Sequence, residues 1–334
     1  MAELRAARAA GRRVPDFFLV GHAKCGTTAM WEMLSAHPQI FTPRFKEMQF
    51  LSRGSELGPP PPGRLRPRTL EAYLSLFEDA DPSLRAGEAS TEYLRTPGTA
   101  RRIAALCPDA RIVTAFREPA AFVRSLHLQL LEIKVETEPD LGRALALEER
   151  RRAGQDIPPV CQWPQALQYR EHVHYAAQLR EYHECFGPDR VLVLLYDEFR
   201  ADNAAALRRV MRFLDIDDTV ALARSEANPT VRVRSHRAGA ALQALSQGRG
   251  PLTTAARGAV QALSTDRMRQ RALRAARSAI VERAPHSGDP SLTNELRERF
   301  RPEVQAFGDY LGRDLLALWG YEDSSAPAGP PDVR

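Results

Sequence analysis

The chain has 334 residues, 43% of them hydrophobic and 27% charged, enough for one large domain or two small ones with the composition of an ordinary globular protein. Its net charge of +5 favours anionic small molecules or acidic glycans as partners and does not call for nucleic acid. Cys25, Cys107, Cys161 and Cys185 form no C-x-x-C and have no His at ligand spacing, which argues against a zinc site and for reduced thiols in a cytoplasmic setting.

Residues 1–14, rich in Ala and Arg, are expected to be a basic flexible lead without the apolar core of a secretion signal. No run of the chain approaches the roughly 18 apolar residues of a membrane span. Phe17 to Val20 then reads as a short buried strand. Gly21 and Gly26 bracket a turn, and Thr27 and Thr28 open a run with helical spacing of apolar residues. Strand, glycine-bounded loop and helix aim backbone N–H groups and a helix N-terminus at an anion. The Walker pattern would put Lys directly after the second glycine. Here Thr27 stands at that place and Lys24 lies two places before Gly26, on the crown of the loop. A lysine there suits the bridging oxygen of a leaving phosphate better than a β/γ-phosphate pair. The chain has only three lysines, Lys24, Lys46 and Lys134, and two of them fall in motifs.

GHAKCGTT resembles the 5′-phosphosulfate loop of sulfotransferases that use PAPS, 3′-phosphoadenosine 5′-phosphosulfate. That likeness implies donor contacts from Lys24, Cys25, Gly26, Thr27 and Thr28, and a catalytic role for Lys24. Cys25 is read either as a small side chain that fits or as a thiol near a helix N-terminus.

A second short strand is expected around His37 to Phe41, followed by PRFKEMQFL. A glutamate after such a strand lies at the carboxyl edge of an open α/β sheet, where ligands bind, and a carboxylate in reach of a hydroxyl can take its proton. The segment resembles the K-E-x-x-F of carbohydrate and glycosaminoglycan sulfotransferases, which implies Glu47 as general base, with Lys46 holding donor or acceptor. Gly54 to Arg68 reads as a proline-rich loop and Thr69 to Phe77 as a short amphipathic helix. RAGEASTEYL, residues 85–94, is similar to a family segment that implies Glu88 and Ser90 on the acceptor side.

Ala110 to Phe116 is a buried strand that runs into Arg117-Glu118-Pro119, with Pro119 suited to the first turn of a helix. Arg117 and Ser125, eight residues apart, can converge on one oxyanion. The stretch resembles the family's 3′-phosphate element, R-x-P-x-x-R-x-x-S, with one extra residue before Arg124, and implies donor contacts from Arg117 and Ser125. His127 is assigned to the surface or the acceptor side. Residues 131–165 read as an acceptor-side insertion, in which Trp163 is either a stacking platform or packing.

Tyr169 to Phe186 is an amphipathic helix and Arg190 to Tyr196 a strand. YDEF, residues 196–199, resembles a family segment of structural role. The N-P-T segment at Asn228 leads to Arg232 and Arg234, and the likeness implies Arg234 or Arg232 as a second clamp on the donor. Residues 238–285 are expected to be a helical Arg-rich segment, residues 292–319 a terminal helix pair, and 321–334 a disordered tail.

The expected architecture is α/β: a P-loop-like parallel sheet flanked by helices, with additional C-terminal helices, in one domain over 15–320. The implied reaction is transfer of the sulfuryl group from PAPS to a hydroxyl or amine of a carbohydrate, lipid or natural product, releasing PAP. One sulfuryl group carries less charge than a triphosphate, so no metal is expected. A P-loop kinase or hydrolase with a displaced lysine, or a non-catalytic polyanion-binding protein, are the alternatives.

Overall fold

The structure, a computed structural model, describes residues 1–52, 66–161, 163–222, 231–233, 281–283 and 289–321, with 231–233 and 281–283 described by their backbone alone. Five strands, β1 (Phe17–Leu19), β2 (Ile40–Phe41), β3 (Arg85–Ala89), β4 (Arg111–Phe116) and β5 (Val191–Leu195), form one sheet in the order β2-β3-β1-β4-β5. Every pairing in it is parallel. β1, β4 and β5 are largely apolar on both faces, as helices on both sides require. Phe17, Leu19, Val113 and Leu194 pack with α2 (Thr27–Leu34) and with residues of the helix Asn203–Phe213. Phe18, Ile112 and Phe116 belong to the larger core on the other side.

The strand over residues 85–89 was not expected. RAGEA has no branched or aromatic residue, and one of its inward groups is the carboxylate of Glu88. Its sequence is small because its neighbour is large: Phe17 lies opposite Gly87, and a Cβ on Gly87 would come within 2.2 Å of the Phe17 ring. With all strands parallel, the loops after β1, β3, β4 and β5 emerge at the same edge of the sheet.

The remaining helices cover this frame. α1 (Ala2–Ala9) lies on α5 (Thr99–Leu106) and buries Leu4, and Arg12 pairs with Glu71 at 2.9 Å and with Glu78. The N-terminal lead is therefore folded onto the body, because one leucine and one arginine in it find partners. α6 (Pro119–Glu132) follows β4, and α9 (Tyr175–Phe186) precedes β5. The helix Pro290–Leu311 packs on both of them and on the short helix Leu315–Leu318. Tyr321, expected as the start of a tail, is buried, and its hydroxyl donates to Glu118 at 2.6 Å.

Two further strands, β6 (Val231–Val233) and β7 (Val281–Arg283), pair antiparallel, and β6 lies against α6. Residues 281–283 are thus strand and not helix, as β-branched Val281 opposite Val233 favours. The rest of the expected helical segment over 238–285 lies outside the described residues, and so does Arg234. So do 322–334. Among the described residues no helix is long and apolar enough to cross a membrane.

Candidate active site

The loop between β1 and α2 is held by two close approaches. A Cβ on Gly21 would lie 2.5 Å from the backbone nitrogen of Ala115, so only glycine lets the chain cross β4 there. Gly26, at φ +80, caps α2, and a Cβ on it would meet the Phe199 ring at 2.8 Å. Between them Lys24 is also left-handed, at φ 63. For a residue with a side chain that conformation costs about 1–3 kcal/mol and persists only where the surroundings enforce it. The Lys24 carbonyl accepts a bond from Arg117 Nη1 at 3.1 Å. Burial, and then the positive charge of Arg117, pull the Lys24 ammonium below the usual lysine range, while Glu132 opposes them.

Arg117 is 9% exposed and sits where β4 ends. Its guanidinium lies 4.5 Å from the centre of the Tyr196 ring, and its carbonyl accepts the Tyr175 hydroxyl at 3.0 Å. Glu118 caps α6 by accepting the N–H of Ala120 and Ala121 at 3.1 and 2.6 Å. Ser125 is buried on α6. The 3′-element expected from sequence is therefore fastened to the crown of the loop by a direct bond.

Glu47 stands at the same edge. Its N–H donates to the carbonyl of Ala89, at the end of β3, at 2.8 Å, and its Oε2 accepts the N–H and the hydroxyl of Thr91 at 3.0 and 3.1 Å. Its φ is 63, and that of Gln49 is 52. Lys46 Nζ reaches Thr28 Oγ1 at 3.1 Å and Thr27 Oγ1 at 3.5 Å, and lies 3.6 Å from Glu47 Oε1. Lys46 thus ties the candidate base to the start of α2. The loop's left-handed turns, its helix N-terminus and the buried Arg117 fit an anion of the phosphosulfate class, and a half-buried carboxylate faces the same edge.

Several residues take places that the sequence did not show. Cys25 is fully buried, and burial pushes its thiol up to about 12, so it is a packed neutral side chain. Glu88 and Ser90, expected on the acceptor side, are interior: Glu88 accepts the hydroxyls of Tyr73 and Ser90, the latter at 2.8 Å. They turn inward because β3 is a central strand whose flanks supply hydroxyl partners. His127 is also buried, between the Tyr169 hydroxyl at 3.0 Å and the Pro139 carbonyl at 3.2 Å. The 131–165 segment is anchored by the buried pair Arg151–Glu136, whose carboxylate also accepts from Tyr169 at 2.9 Å. Trp163 packs at the edge of the core, with the Arg66 guanidinium 5.7 Å from its ring centre.

Sequence reasoning singled out none of His22, Thr91 and Tyr175, and gave Tyr196 only a structural place within YDEF. His22 is buried under the loop, with Nε2 2.8 Å from Gln178 Oε1 and its ring 5.1 Å from that of Phe122. Thr91 follows directly on the G-E-x-S run and could have been found there. His22 and Tyr175 act through contacts far apart in sequence and carry no local signal.

Comparison with known proteins places this geometry. A sequence model of the Sulfotransferase family matches residues 15–219. The bifunctional heparan sulfate N-deacetylase/N-sulfotransferase 3 of Homo sapiens is 26% identical over 213 residues, which are 61% of this chain and 22% of that protein. The heparan sulfate glucosamine 3-O-sulfotransferase 3A1 of Mus musculus is 26% identical over 205 residues, 61% of this chain and 47% of that protein. The chain thus matches under a quarter of the first relative's length and under half of the second's. The crystal structure of a sulfotransferase from Alicyclobacillus acidocaldarius superposes with a TM-score of 0.65 at 26% identity, covering 92% of this chain and 99% of that one.

Proposed function

Because the chain belongs to the sulfotransferase family, we propose that it moves the sulfuryl group of PAPS to a hydroxyl or amine of a carbohydrate and releases PAP. The observation that carries this reading is the tie from cradle to base: Lys46 bonds Thr28 at the start of α2 and lies 3.6 Å from Glu47. The carbohydrate class follows from what the two relatives are, one a heparan sulfate N- and one a heparan sulfate O-sulfotransferase. The four free cysteines favour a reducing, cytoplasmic setting.

In this reading the N–H groups of the loop from Lys24 to Thr28 hold the 5′-phosphosulfate, and Arg117 and Ser125 hold the 3′-phosphate, with Arg234 as a further contact. Glu47 takes the proton from the acceptor hydroxyl as its oxygen bonds to sulfur. The bond from sulfur to the bridging oxygen breaks, and the electron pair stays on the 5′-phosphate of PAP. Lys24 stabilises the charge that grows on that oxygen. Partial dehydration of Lys24 strengthens the effect, since a charge acts over a longer range where water is excluded. Phosphoryl transfer through a loose transition state is the nearest chemical analogy.

The test is PAP release from PAPS with two glycans side by side, one bearing only hydroxyls and one bearing free amino groups. Release that depends on a glycan supports the reading and tells O- from N-transfer. Release that no glycan accelerates removes the carbohydrate assignment.

A further inference from the structure

The main chain that carries Glu47 passes through two left-handed residues, Glu47 and Gln49, within three positions. Nothing in the residues themselves favours this, so something outside must hold it. Three bonds from the β3–α4 segment do so, where α4 is Glu92–Arg95. The Glu47 N–H goes to the Ala89 carbonyl, the Gln49 N–H to Ser90 Oγ at 3.0 Å, and the Leu51 N–H to the Tyr93 hydroxyl at 3.1 Å. Two of these three acceptors are hydroxyls, and a hydroxyl holds its place only if its own proton is fixed. One of them is fixed directly: Ser90 Oγ donates to Glu88 Oε1 at 2.8 Å. Tyr73, whose ring stacks on Phe50 of the base loop at 4.7 Å, donates to Glu88 Oε2.

We infer that Glu88 is a positioning residue for the base: through Ser90 it fixes the main chain at Gln49, and so the place of Glu47. The inference rests on Glu47 being the base. Glu88 makes no hydrogen bond to Glu47's carboxylate among the described contacts. Its effect passes along the Ser90 hydroxyl to the Gln49 N–H on the strained loop. An ionised carboxylate is acceptor-only and can take both the Ser90 and the Tyr73 hydroxyl. Protonating it turns one of them from donor to acceptor and loosens the set. Around Glu88 stand Glu47, Tyr73, Tyr93, Cys107 and Tyr182, each acidic or neutral. Burial, with Glu47 adding to it against the neighbouring hydroxyls, brings the Glu88 carboxyl up to about 7.

The experiment compares Ser90→Ala, Glu88→Gln and Glu47→Ala in full-length protein, reading kcat, KM for PAPS, the thermal shift caused by PAP, and the pH profile of kcat. Ser90→Ala is expected to lower kcat about 10-fold, since misplacing a catalytic group by an ångström can cost up to about 100-fold. Its KM for PAPS and its PAP shift stay as in the wild type, because the donor loop is held elsewhere. The wild-type profile bends near pH 7 and that of Glu88→Gln does not. A purely structural Glu88 would lower melting temperature while leaving kcat and the profile unchanged, and that result in both Ser90→Ala and Glu88→Gln, beside an inactive Glu47→Ala, overturns the inference. Full turnover in Glu47→Ala removes the base assignment instead. Should Ser90→Ala not fold, Glu88→Gln alone carries the profile test.

Discussion

Arg117 Nη1 donates to the carbonyl of Lys24 at 3.1 Å, joining the end of β4 to the crown of the loop after β1. One guanidinium thus does two jobs. It holds Lys24 in its left-handed turn, and it sets a positive charge beside the loop proposed to take the donor. Arg117→Ala is expected to raise KM for PAPS and to weaken PAP binding by 10-fold or more, as hydrogen bonds to charged groups contribute about 1.5–3 kcal/mol. Titration with PAP measures this directly. An unchanged PAP affinity would place the 3′-phosphate somewhere else.

Lys24→Ala and Glu47→Ala should each lower kcat by roughly 100-fold or more, one by removing charge stabilisation on the leaving oxygen and the other by removing the proton acceptor. Glu47→Gln separates base chemistry from packing: it can keep the bonds from Thr91 but cannot take a proton. Single-turnover rates with saturating PAPS decide the matter. A Glu47→Gln enzyme that turns over like the wild type would leave Glu47 as a structural residue.

Two buried groups give stability opposite slopes with pH. Burial pushes His22 down to about 4. Between about 4 and an unfolded value near 6.5 the unfolded chain binds more protons, so His22 lets stability fall as pH drops through that window. Glu88 is pushed up to about 7, so the folded chain binds more protons between the ordinary carboxylate value and 7. Its contribution falls as pH rises through that window. Glu88→Gln should therefore gain on the wild type by on the order of 3 kcal/mol between pH 4.5 and 7, read from urea unfolding at each pH. A gain that does not depend on pH would mean that Glu88 titrates alike in both states.

The segment over residues 131–165 hangs on one buried pair, Glu136 with Arg151, at 0% and 1% side-chain exposure. Removing one partner leaves a charge without compensation, so Arg151→Ala is expected to cost about 3–5 kcal/mol of stability. Replacing both with apolar residues, Arg151→Met with Glu136→Leu, should recover most of that. Chemical denaturation of the two variants makes the comparison. If the double variant is as weak as the single one, the bonds from Tyr169 and the neighbouring backbone, not the charge pair, hold the segment.

Local signals made most of the sheet legible. Phe17 to Val20, ARIVTAF and RVLVLLY are apolar runs flanked by turn residues, and the structure has strands there. RAGEA had no such signal, because its small residues answer to Phe17 across the sheet and not to their own neighbours. The cradle was readable from glycine spacing, since Gly21 and Gly26 are forced by Ala115 and Phe199, which any strand-loop-helix of this kind must clear. The site's supports were not. Tyr175 on Arg117, Tyr196 beneath it and His22 against Gln178 are contacts across 58 to 156 positions, and no pattern in one sequence records them. Glu88 was misplaced for a related reason. A charged residue reads as surface unless the three hydroxyls around it are seen.

Thermal stabilisation of the purified protein by PAP, set against ADP and against ATP with Mg²⁺, decides whether Lys24 and Arg117 form a donor site for PAPS. A ligand that binds only the folded state adds about 2.7 kcal/mol at a hundred times its Kd. A clear upward shift with PAP is expected, a smaller one with ADP, and a reduced one, by about half or more, with PAP in Arg117→Ala. A shift with ATP and Mg²⁺ but none with PAP would contradict the PAPS site and make the loop a nucleoside triphosphate site.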